Sequence, residues 1–252
     1  MRVALSRIAL SRIAPDMDRI SEALSRGRVE QLDGLFVAHS HYDHVLDAPA
    51  IIQQLGGRLH GSSSTLNVAR GSGLSEASMQ LIRHGQEYAF SDFRVCVFEG
   101  LHSPGNRYPG TIDAPLVPPT KVSSYRDGGC YSFHIRHPGG TILIHPSANF
   151  VPNAFDGLDV DVLYLGIGAL GVQSAPFQDD YWHHVVEATH PGLVIPVHWD
   201  NFGRPLTAPM RPLPFFMDKF ARTKQLLDRK SRESGYQVYF QDPFETIRPF
   251  AC

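Results

Sequence analysis

Residues 39–44 read His-Ser-His-Tyr-Asp-His, and this hexapeptide indicates more about the fold than any other stretch of the chain. It places three imidazoles and one carboxylate in six positions, which is more metal-ligand chemistry than packing or solvation requires. The chain has 13 histidines in 252 residues, so this spacing rarely arises by chance. The motif therefore predicts a metal site.

The residues before the motif predict how its ligands are presented. Residues 35–38 are apolar and follow the turn signal Asp33-Gly34, which is typical of a short buried strand. His39 and His41 alternate by two along an extended chain and can share a direction. Asp43 and His44 fall in the turn beyond. One loop can therefore offer two ligands to one ion and two to its neighbour. Zinc suits imidazole and carboxylate best, with manganese or iron as alternatives.

With this motif the chain resembles the metallo-β-lactamase-fold superfamily of metal-dependent hydrolases, whose first signature is HxHxDH after a strand. The resemblance covers roughly residues 30–205 and implies an α/β protein, a four-layer αββα sandwich. In that family one lone histidine at each of two later strand ends completes the metal groups. His102, after the strand-like residues 93–98, and His198, after residues 193–197, occur in the matching order.

The resemblance implies two divalent metal ions and six ligands. One ion would be held by His39, His41 and His102, and the other by Asp43, His44 and His198. Zinc is the expected metal, with Mn²⁺ or Fe²⁺ as alternatives.

One signature of the family differs in this chain. After residues 141–144 most hydrolases of the family carry an aspartate that bridges both metals, and here Ser147 falls about where that aspartate would be. One group of β-lactamases in the superfamily also lacks this aspartate and holds its second zinc with Asp-His-His, which Asp43, His44 and His198 would match. His145 is an alternative ligand at this position. We expect weaker occupancy of the second metal.

Asp47 has two alternative roles. A helical pattern starts at this residue and stops at Gly56-Gly57, so its carboxylate can cap the helix. It also follows the ligand cluster closely and can accept a hydrogen bond from a ligand imidazole.

Residues 103–128 form a long Pro- and Gly-rich stretch without periodicity. Loops of this length inside compact domains are usually functional or disordered. Because the stretch starts directly after His102, we predict that it forms a wall or lid of the active site. Five of its side chains are candidates for holding an anionic part of a substrate, with solvated loop charge as the alternative: Arg107, Tyr108, Lys121, Tyr125 and Arg126.

The bulk properties predict one domain over residues 1–252, with an irregular segment at 1–15. The net charge is −2 and no stretch concentrates Lys and Arg, so a nucleic-acid partner is not expected. No apolar run approaches a membrane span, and the N-terminal residues lack a secretory core. We therefore expect a cytoplasmic protein. The sequence leaves its oligomeric state open.

The N-terminal region predicts less strand structure than the resemblance implies. Chains of this family usually place a strand hairpin before the first motif strand, whereas residues 15–27 read as a short helix. Either the start of the chain is truncated, lacking the first strands, or the first sheet is smaller than usual.

The implied reaction is hydrolysis of a small-molecule substrate. Two cations lower the pKa of a bound water from about 15.7 toward about 7, so that hydroxide attacks at neutral pH, with Asp43 expected to orient it. HSHYDH with a late PVHW looks similar to the branch that contains L-ascorbate-6-phosphate lactonase and N-acyl-phosphatidylethanolamine phospholipase D, whereas Ser147 favours β-lactam or other cyclic amide hydrolysis. We expect an ester, lactone, amide or phosphodiester substrate. The alternative is a non-catalytic metal-binding scaffold of the same fold.

Overall fold

The computed structural model describes residues 11–205, 207–248 and 250. The strands in this part of the chain are β1 (Arg12–Ile13), β2 (Gly34–Phe36), β3 (Arg58–Gly61), β4 (Met79–Leu81), β5 (Glu87–Phe90), β6 (Phe93–Gly100), β7 (Thr120–Lys121), β8 (Cys130–His137), β9 (Gly140–His145), β10 (Val162–Gly166), β11 (Leu193–Val197) and β12 (Gln237–Val238). The α-helices are α1 (Met17–Gly27), α2 (Tyr42–Val45), α3 (Ala48–Leu55), α4 (Ser63–Gly71), α5 (Ala175–Tyr181) and α6 (Phe220–Ser234).

The chain divides into two compact units. The first unit comprises Met1–Arg83 and Asn106–Cys130, and the second comprises His84–Gly105 and Tyr131–Cys252. The single domain expected over residues 1–252 therefore stays a prediction.

The first unit contains a three-stranded sheet with the order β2-β3-β4, in which both pairs of neighbours are parallel. Its core is a cluster of buried apolar side chains from this sheet, the helices and the later loop, including Val45, Ile52, Leu59, Val68 and Tyr125.

Local signals explain where the helices of the first unit begin and end. The Asp16 side chain accepts a hydrogen bond from the backbone N–H of Arg19 at the start of α1, and the Ser62 hydroxyl accepts one from Thr65 at the start of α4. The helix α3 ends at Gly56, whose φ of 77° favours glycine.

The N-terminal segment is only partly described. Residues 1–10 lie outside the described residues, so most of the segment predicted to be irregular is not assessed. Arg12–Ile13 form β1, which pairs antiparallel with β7. This end of the predicted irregular segment is therefore ordered as a short strand.

The second unit contains a seven-stranded sheet with the order β12-β11-β10-β9-β8-β6-β5. The pairs β9–β10, β10–β11 and β11–β12 are parallel, whereas β5–β6 and β8–β9 are antiparallel. The central strand β10 is almost continuously apolar and buried, as expected for a parallel strand covered on both faces. The carboxyl ends of β9, β10 and β11 lie at one edge, which is where parallel sheets usually place functional residues.

Packing in the second unit involves an unusual helix. The sequence pattern predicts a helix over residues 179–189, and the structure has α5 continuing into a π-helix at Trp182–Glu187. The π-helix buries Trp182, Val185 and Val186 against the sheet. In the part of the chain that the structure describes, no helix is long and apolar enough to span a membrane.

The buried His60 on β3 should make the free energy of unfolding fall in acid. It is buried and stacks on Phe36 with ring centroids 4.4 Å apart, and burial, assisted by Arg58, lowers its pKa from 6.5 to about 4. Because the unfolded chain takes up this proton near pH 6.5 and the folded chain only near pH 4, stability is full above about pH 6.5 and falls as the pH drops toward 4. The loss from His60 should reach about 3 kcal/mol.

Thermal unfolding of the metal-free protein between pH 7 and 4 measures this loss, with His60→Gln as the comparison. The variant should lose less stability over that interval than the wild type. If the stability of both proteins falls equally between pH 7 and 4, the protonation of His60 does not cause the loss.

Candidate metal centre

The HxHxDH motif lies in the first unit, directly after β2. His39 is 1% exposed, and its ring centroid lies 3.8 Å from that of His44 and 4.9 Å from that of His41. The chain is extended at His41, with φ −64° and ψ 151°, and then turns into the short helix α2. This turn explains how three imidazoles separated by two and three residues converge.

The carboxylate of the motif lies beside its last histidine. Asp43 and His44 occupy the first turn of α2, and Asp43 Oδ2 lies 3.5 Å from His44 Nε2. The two side chains can therefore face the same ion.

Two groups of three side chains have the spacing of metal ligands. Each side chain offers one ligand atom, and within a group these atoms lie within 4.8 Å of one another: His39, His41 and His102 in one group, and Asp43, His44 and His198 in the other. The first group offers three ring nitrogens, and the second offers two ring nitrogens and one carboxylate oxygen. Such donor sets suit zinc, iron or manganese, so the residues fit the divalent ions that the resemblance implies.

Ser40 lies between the first two motif histidines and fixes the motif loop through buried hydrogen bonds. Its backbone N–H donates to the carbonyl oxygen of Asp127 over 2.7 Å. Its hydroxyl lies 2.8 Å from Thr65 Oγ1 and 3.3 Å from Ser62 Oγ, and all three hydroxyl side chains are buried. The loop is thus fixed at the residue between His39 and His41. The sequence analysis did not identify this cluster, because serine and threonine carry no distinctive spacing.

Asp127 was also missed, and it organises the long loop in the first unit. Its carboxylate accepts backbone N–H groups from Gly110 at 3.0 Å and Gly128 at 2.7 Å, and the Asn106 side-chain amide donates to its other oxygen. Since the Asp127 carbonyl also holds Ser40, the loop and the motif are connected by one residue. The Asp-Gly-Gly run at 127–129 was the only signal in the sequence.

His102 lies in the second unit, two residues after β6. Its Nδ1 lies 2.9 Å from the carbonyl oxygen of Ser103, and because a carbonyl only accepts, Nδ1 carries the proton. This contact fixes the tautomer in which Nε2 is the atom that can bind a metal.

His198 follows β11 in the second unit and has a left-handed backbone with φ of 59°. Such a conformation costs energy for a residue with a side chain, and it often marks a functional site. The backbone of Gly168 passes directly beside it. A Cβ at position 168 would lie 2.6 Å from His198 Nδ1 and 2.6 Å from its carbonyl oxygen, so only glycine fits there.

Asp218 holds the loop that contains Gly168. It is 1% exposed, and its carboxylate accepts the N–H groups of Ala169 at 3.1 Å and Gly171 at 3.2 Å. Burial raises the pKa of Asp218, whereas these backbone hydrogen bonds lower it. No sequence signal identified Asp218, because its partners are about 50 residues away in the chain.

The position at which the resemblance implies a bridging aspartate lies in a buried turn of the second unit. Ser147 is 5% exposed, two residues after the end of β9. His145, the alternative ligand, has both ring nitrogens occupied: Nδ1 lies 2.8 Å from Ser132 Oγ and Nε2 lies 2.7 Å from the carbonyl oxygen of Asn149. Burial lowers the pKa of His145 to about 4, so the ring is neutral. The suggestion that His145 binds metal is therefore corrected.

Asp47 performs neither of the two roles that its position suggested. It is the N-cap residue of α3, but its side chain makes no capping hydrogen bond. Among the described residues, no hydrogen bond joins its carboxylate to a ligand imidazole. Burial raises the pKa of Asp47, and the charge of Asp16 adds to that rise.

Tyr125 is corrected as a substrate-binding candidate. It is fully buried in the core of the first unit, and burial raises its pKa to about 12, with a further contribution from Asp47. A side chain in the core cannot contact a substrate from solvent.

The other four candidates from the long loop are accessible. Arg126 donates to the carbonyl oxygen of Pro109 over 2.8 Å, and Lys121 lies on β7 opposite Arg12. The carbonyl oxygen of Tyr108 lies 3.3 Å from His41 Nε2. Arg107 and Tyr108 also lie near Tyr42, whose pKa is raised to about 12 by burial, by Asp43 and by Tyr108, whereas Arg107 lowers it. Arg107 and Tyr108 are therefore near the motif, and their role stays a prediction.

Comparison with known proteins gives a partial match by sequence. No protein-family model matches the chain. A protein of Myxococcus xanthus (strain DK1622), named a UPF0173 metal-dependent hydrolase, is 31% identical over 74 residues. The match covers 29% of this chain and 25% of that protein, so the chain matches about a quarter of this relative's length.

Solved structures resemble the chain over most of its length. The metallo-β-lactamase fold protein YhfI from Bacillus subtilis superposes with a TM-score of 0.52 and 14% identity, covering 84% of this chain and 75% of that one. CmlA, a diiron β-hydroxylase from Streptomyces venezuelae, gives a TM-score of 0.53 and 14% identity, covering 85% and 44%. The chain therefore has the fold of these proteins, and the α/β fold class predicted from the motif is confirmed.

The close approach of Gly168 to His198 predicts the effect of one added methyl group. Gly168→Ala should displace the imidazole of His198, because the new Cβ would lie 2.6 Å from its Nδ1. The variant should lose metal from the group of Asp43, His44 and His198 and keep it in the other group, as measured by metal content after dialysis.

Gly192→Ala is the matched control for this variant, since the nearest atom to its added Cβ is the carbonyl oxygen of Asp161 at 3.4 Å. It should behave as the wild type. If Gly168→Ala keeps the wild-type metal content, the close approach does not position His198.

The buried hydroxyl cluster predicts a difference between two Thr65 variants. Thr65→Val keeps the volume but removes the partner of Ser40 Oγ, which lies 2.8 Å away. It should weaken metal binding about tenfold, since groups that orient ligands typically contribute 10- to 100-fold. Thr65→Ser keeps the hydroxyl and should bind metal nearly as the wild type does. Competition with a chromophoric chelator measures both affinities, and equal affinities in the two variants would contradict the role of the hydroxyl.

Proposed function

We propose that this protein is a metal-dependent hydrolase of a small-molecule substrate. The observation that carries the proposal is the convergence of the motif side chains, with His39 buried between the rings of His41 and His44. The UPF0173 protein that matches part of the chain is named a metal-dependent hydrolase, which agrees with it.

The proposed ligands of the first ion are His39, His41 and His102, and those of the second are Asp43, His44 and His198. We propose zinc, because imidazole and carboxylate donors suit it. Manganese and iron are the alternatives, and one protein of similar fold is a diiron enzyme. When bound, such ions lower the pKa of a water molecule and polarise the bond that it attacks.

Asp43 has a distinct proposed role among these six residues. It is the only carboxylate among them, so it alone can accept a hydrogen bond from an attacking water and orient it. The neutral Ser147 adds no charge at the position where the resemblance implies an aspartate. The donor set therefore offers one negative charge against two divalent ions, and the remaining positive charge favours a polar or anionic substrate.

Arg107 is the proposed partner for such an anionic group. It is exposed beside Tyr42, and among the described residues it forms no ion pair with a carboxylate. An arginine with no internal partner can pair with a carboxylate or phosphate of the substrate. The scissile bond is proposed to be an ester, lactone, amide (including β-lactam) or phosphodiester.

Metal content and turnover test this function together. The wild type loaded with zinc, manganese or iron should retain about two equivalents per chain and hydrolyse at least one of nitrocefin, a homoserine lactone and bis-p-nitrophenyl phosphate. His41→Ala should lose both metal and turnover, and Asp43→Ala should chiefly lose metal from the second group.

His183→Ala is the matched control, because His183 is exposed and pairs with Glu187 at 3.0 Å. It should retain metal and activity. Unchanged activity in His41→Ala would refute the assignment. Retained metal without turnover of any of the three substrates would instead favour a non-catalytic metal-binding scaffold.

A further inference from the structure

The turn at residues 145–150 contacts the carbonyl of His102 and the side chain of the residue that follows it. The side-chain amide of Asn149 donates from Nδ2 to the carbonyl oxygen of His102 over 2.8 Å. The backbone N–H of Ala148 donates to Ser103 Oγ over 2.9 Å. The residue after His102 is thus held by the same turn, and its carbonyl in turn accepts the proton of His102 Nδ1 at 2.9 Å.

His145 fixes the turn itself. The carbonyl oxygen of Asn149 can only accept, so His145 Nε2 carries the proton and donates to it over 2.7 Å. His145 Nδ1 must then accept from the hydroxyl of Ser132, 2.8 Å away. The ring is 3% exposed and contacts Phe155 and Tyr181, so its orientation is fixed by packing as well as by hydrogen bonds.

The turn packs directly on the end of the neighbouring strand β10. A Cβ at Gly166, the last residue of β10, would lie 2.3 Å from the carbonyl carbon and oxygen of Pro146. The absence of a side chain at Gly166 therefore lets the turn pack directly on the strand. The turn is held by a strand, a buried imidazole and a serine hydroxyl, which makes it a rigid support.

From these contacts we propose that Asn149 and Ser103 are positioning residues that set the orientation and the tautomer of His102, and that His145 acts through Asn149. In the resemblance, this turn would carry the bridging aspartate. In this chain it has no charged side chain at that position and instead supports His102, a ligand of the first group. We call the turn at residues 145–150 the brace. This inference rests on the proposed metal site.

Paired variants test the brace. Asn149→Ala removes the donor to the His102 carbonyl, and Ser103→Ala removes the acceptor for Ala148, whereas Ser103→Thr keeps the hydroxyl. Zinc affinity is measured by competition with a chromophoric chelator, and the visible spectrum of the Co²⁺-substituted protein reports the geometry of the ligands. Both alanine variants should weaken one of the two zinc-binding steps by about 10- to 100-fold and alter the Co²⁺ spectrum.

Two controls separate positioning from folding. Ser103→Thr should restore wild-type affinity. Val151→Ala truncates an exposed side chain directly after the turn and should leave zinc affinity and the Co²⁺ spectrum unchanged. The other zinc-binding step should also stay unchanged in the Asn149 and Ser103 variants, which a general loss of folding would not allow.

The outcomes distinguish the brace from the metal site. Wild-type affinity and spectrum in both Asn149→Ala and Ser103→Ala would overturn the brace and leave the proposed function intact. Equal weakening of both zinc-binding steps would also overturn it, since the effect would then not be specific to His102. A wild type that binds no metal would overturn both proposals.

Discussion

The structure depends on one constraint, namely that four potential ligands within six consecutive residues must point into the same small volume. A flexible loop would spread these side chains apart. Here the buried N–H of Ser40 donates to Asp127 over 2.7 Å, and breaking such a buried hydrogen bond costs about 1–3 kcal/mol. The loop conformation is therefore determined by the surrounding first unit, and the imidazoles are oriented before any ion arrives. Preorganisation of this kind is what separates a binding site from a histidine-rich surface.

The second unit positions its two candidate ligands by backbone contact. His102 is held through its own carbonyl and through Ser103, and His198 has a left-handed conformation beside Gly168.

The sequence predicted the parts of the fold that depend on local pattern. The strand at Leu193–Val197 occurs at the predicted bounds, and the hexapeptide predicted both the fold and the ligand-rich loop. The sequence did not reveal the positioning roles of Asp127 and Asp218, because these roles depend on backbone groups that only folding brings close. Tyr125 was misread for the same reason, since a tyrosine in a polar loop gives no sign that the loop folds it into the core. His145 shows the limit for ligands, as its spacing allowed metal binding and its two hydrogen bonds do not.

The first unit is discontinuous in sequence, and this has a consequence for how the protein is made. Its strand pair β1–β7 joins Arg12 to Lys121, and the backbone N–H of Ser40 donates to the carbonyl oxygen of Asp127. On a translating ribosome the motif histidines emerge long before the residues that anchor their loop. During that interval, the loop that carries the motif histidines lacks its backbone hydrogen bond to Asp127. Complete anchoring of the motif loop therefore requires synthesis to pass residue 127, whereas the contacts of the Ser40 hydroxyl with Ser62 and Thr65 can form earlier.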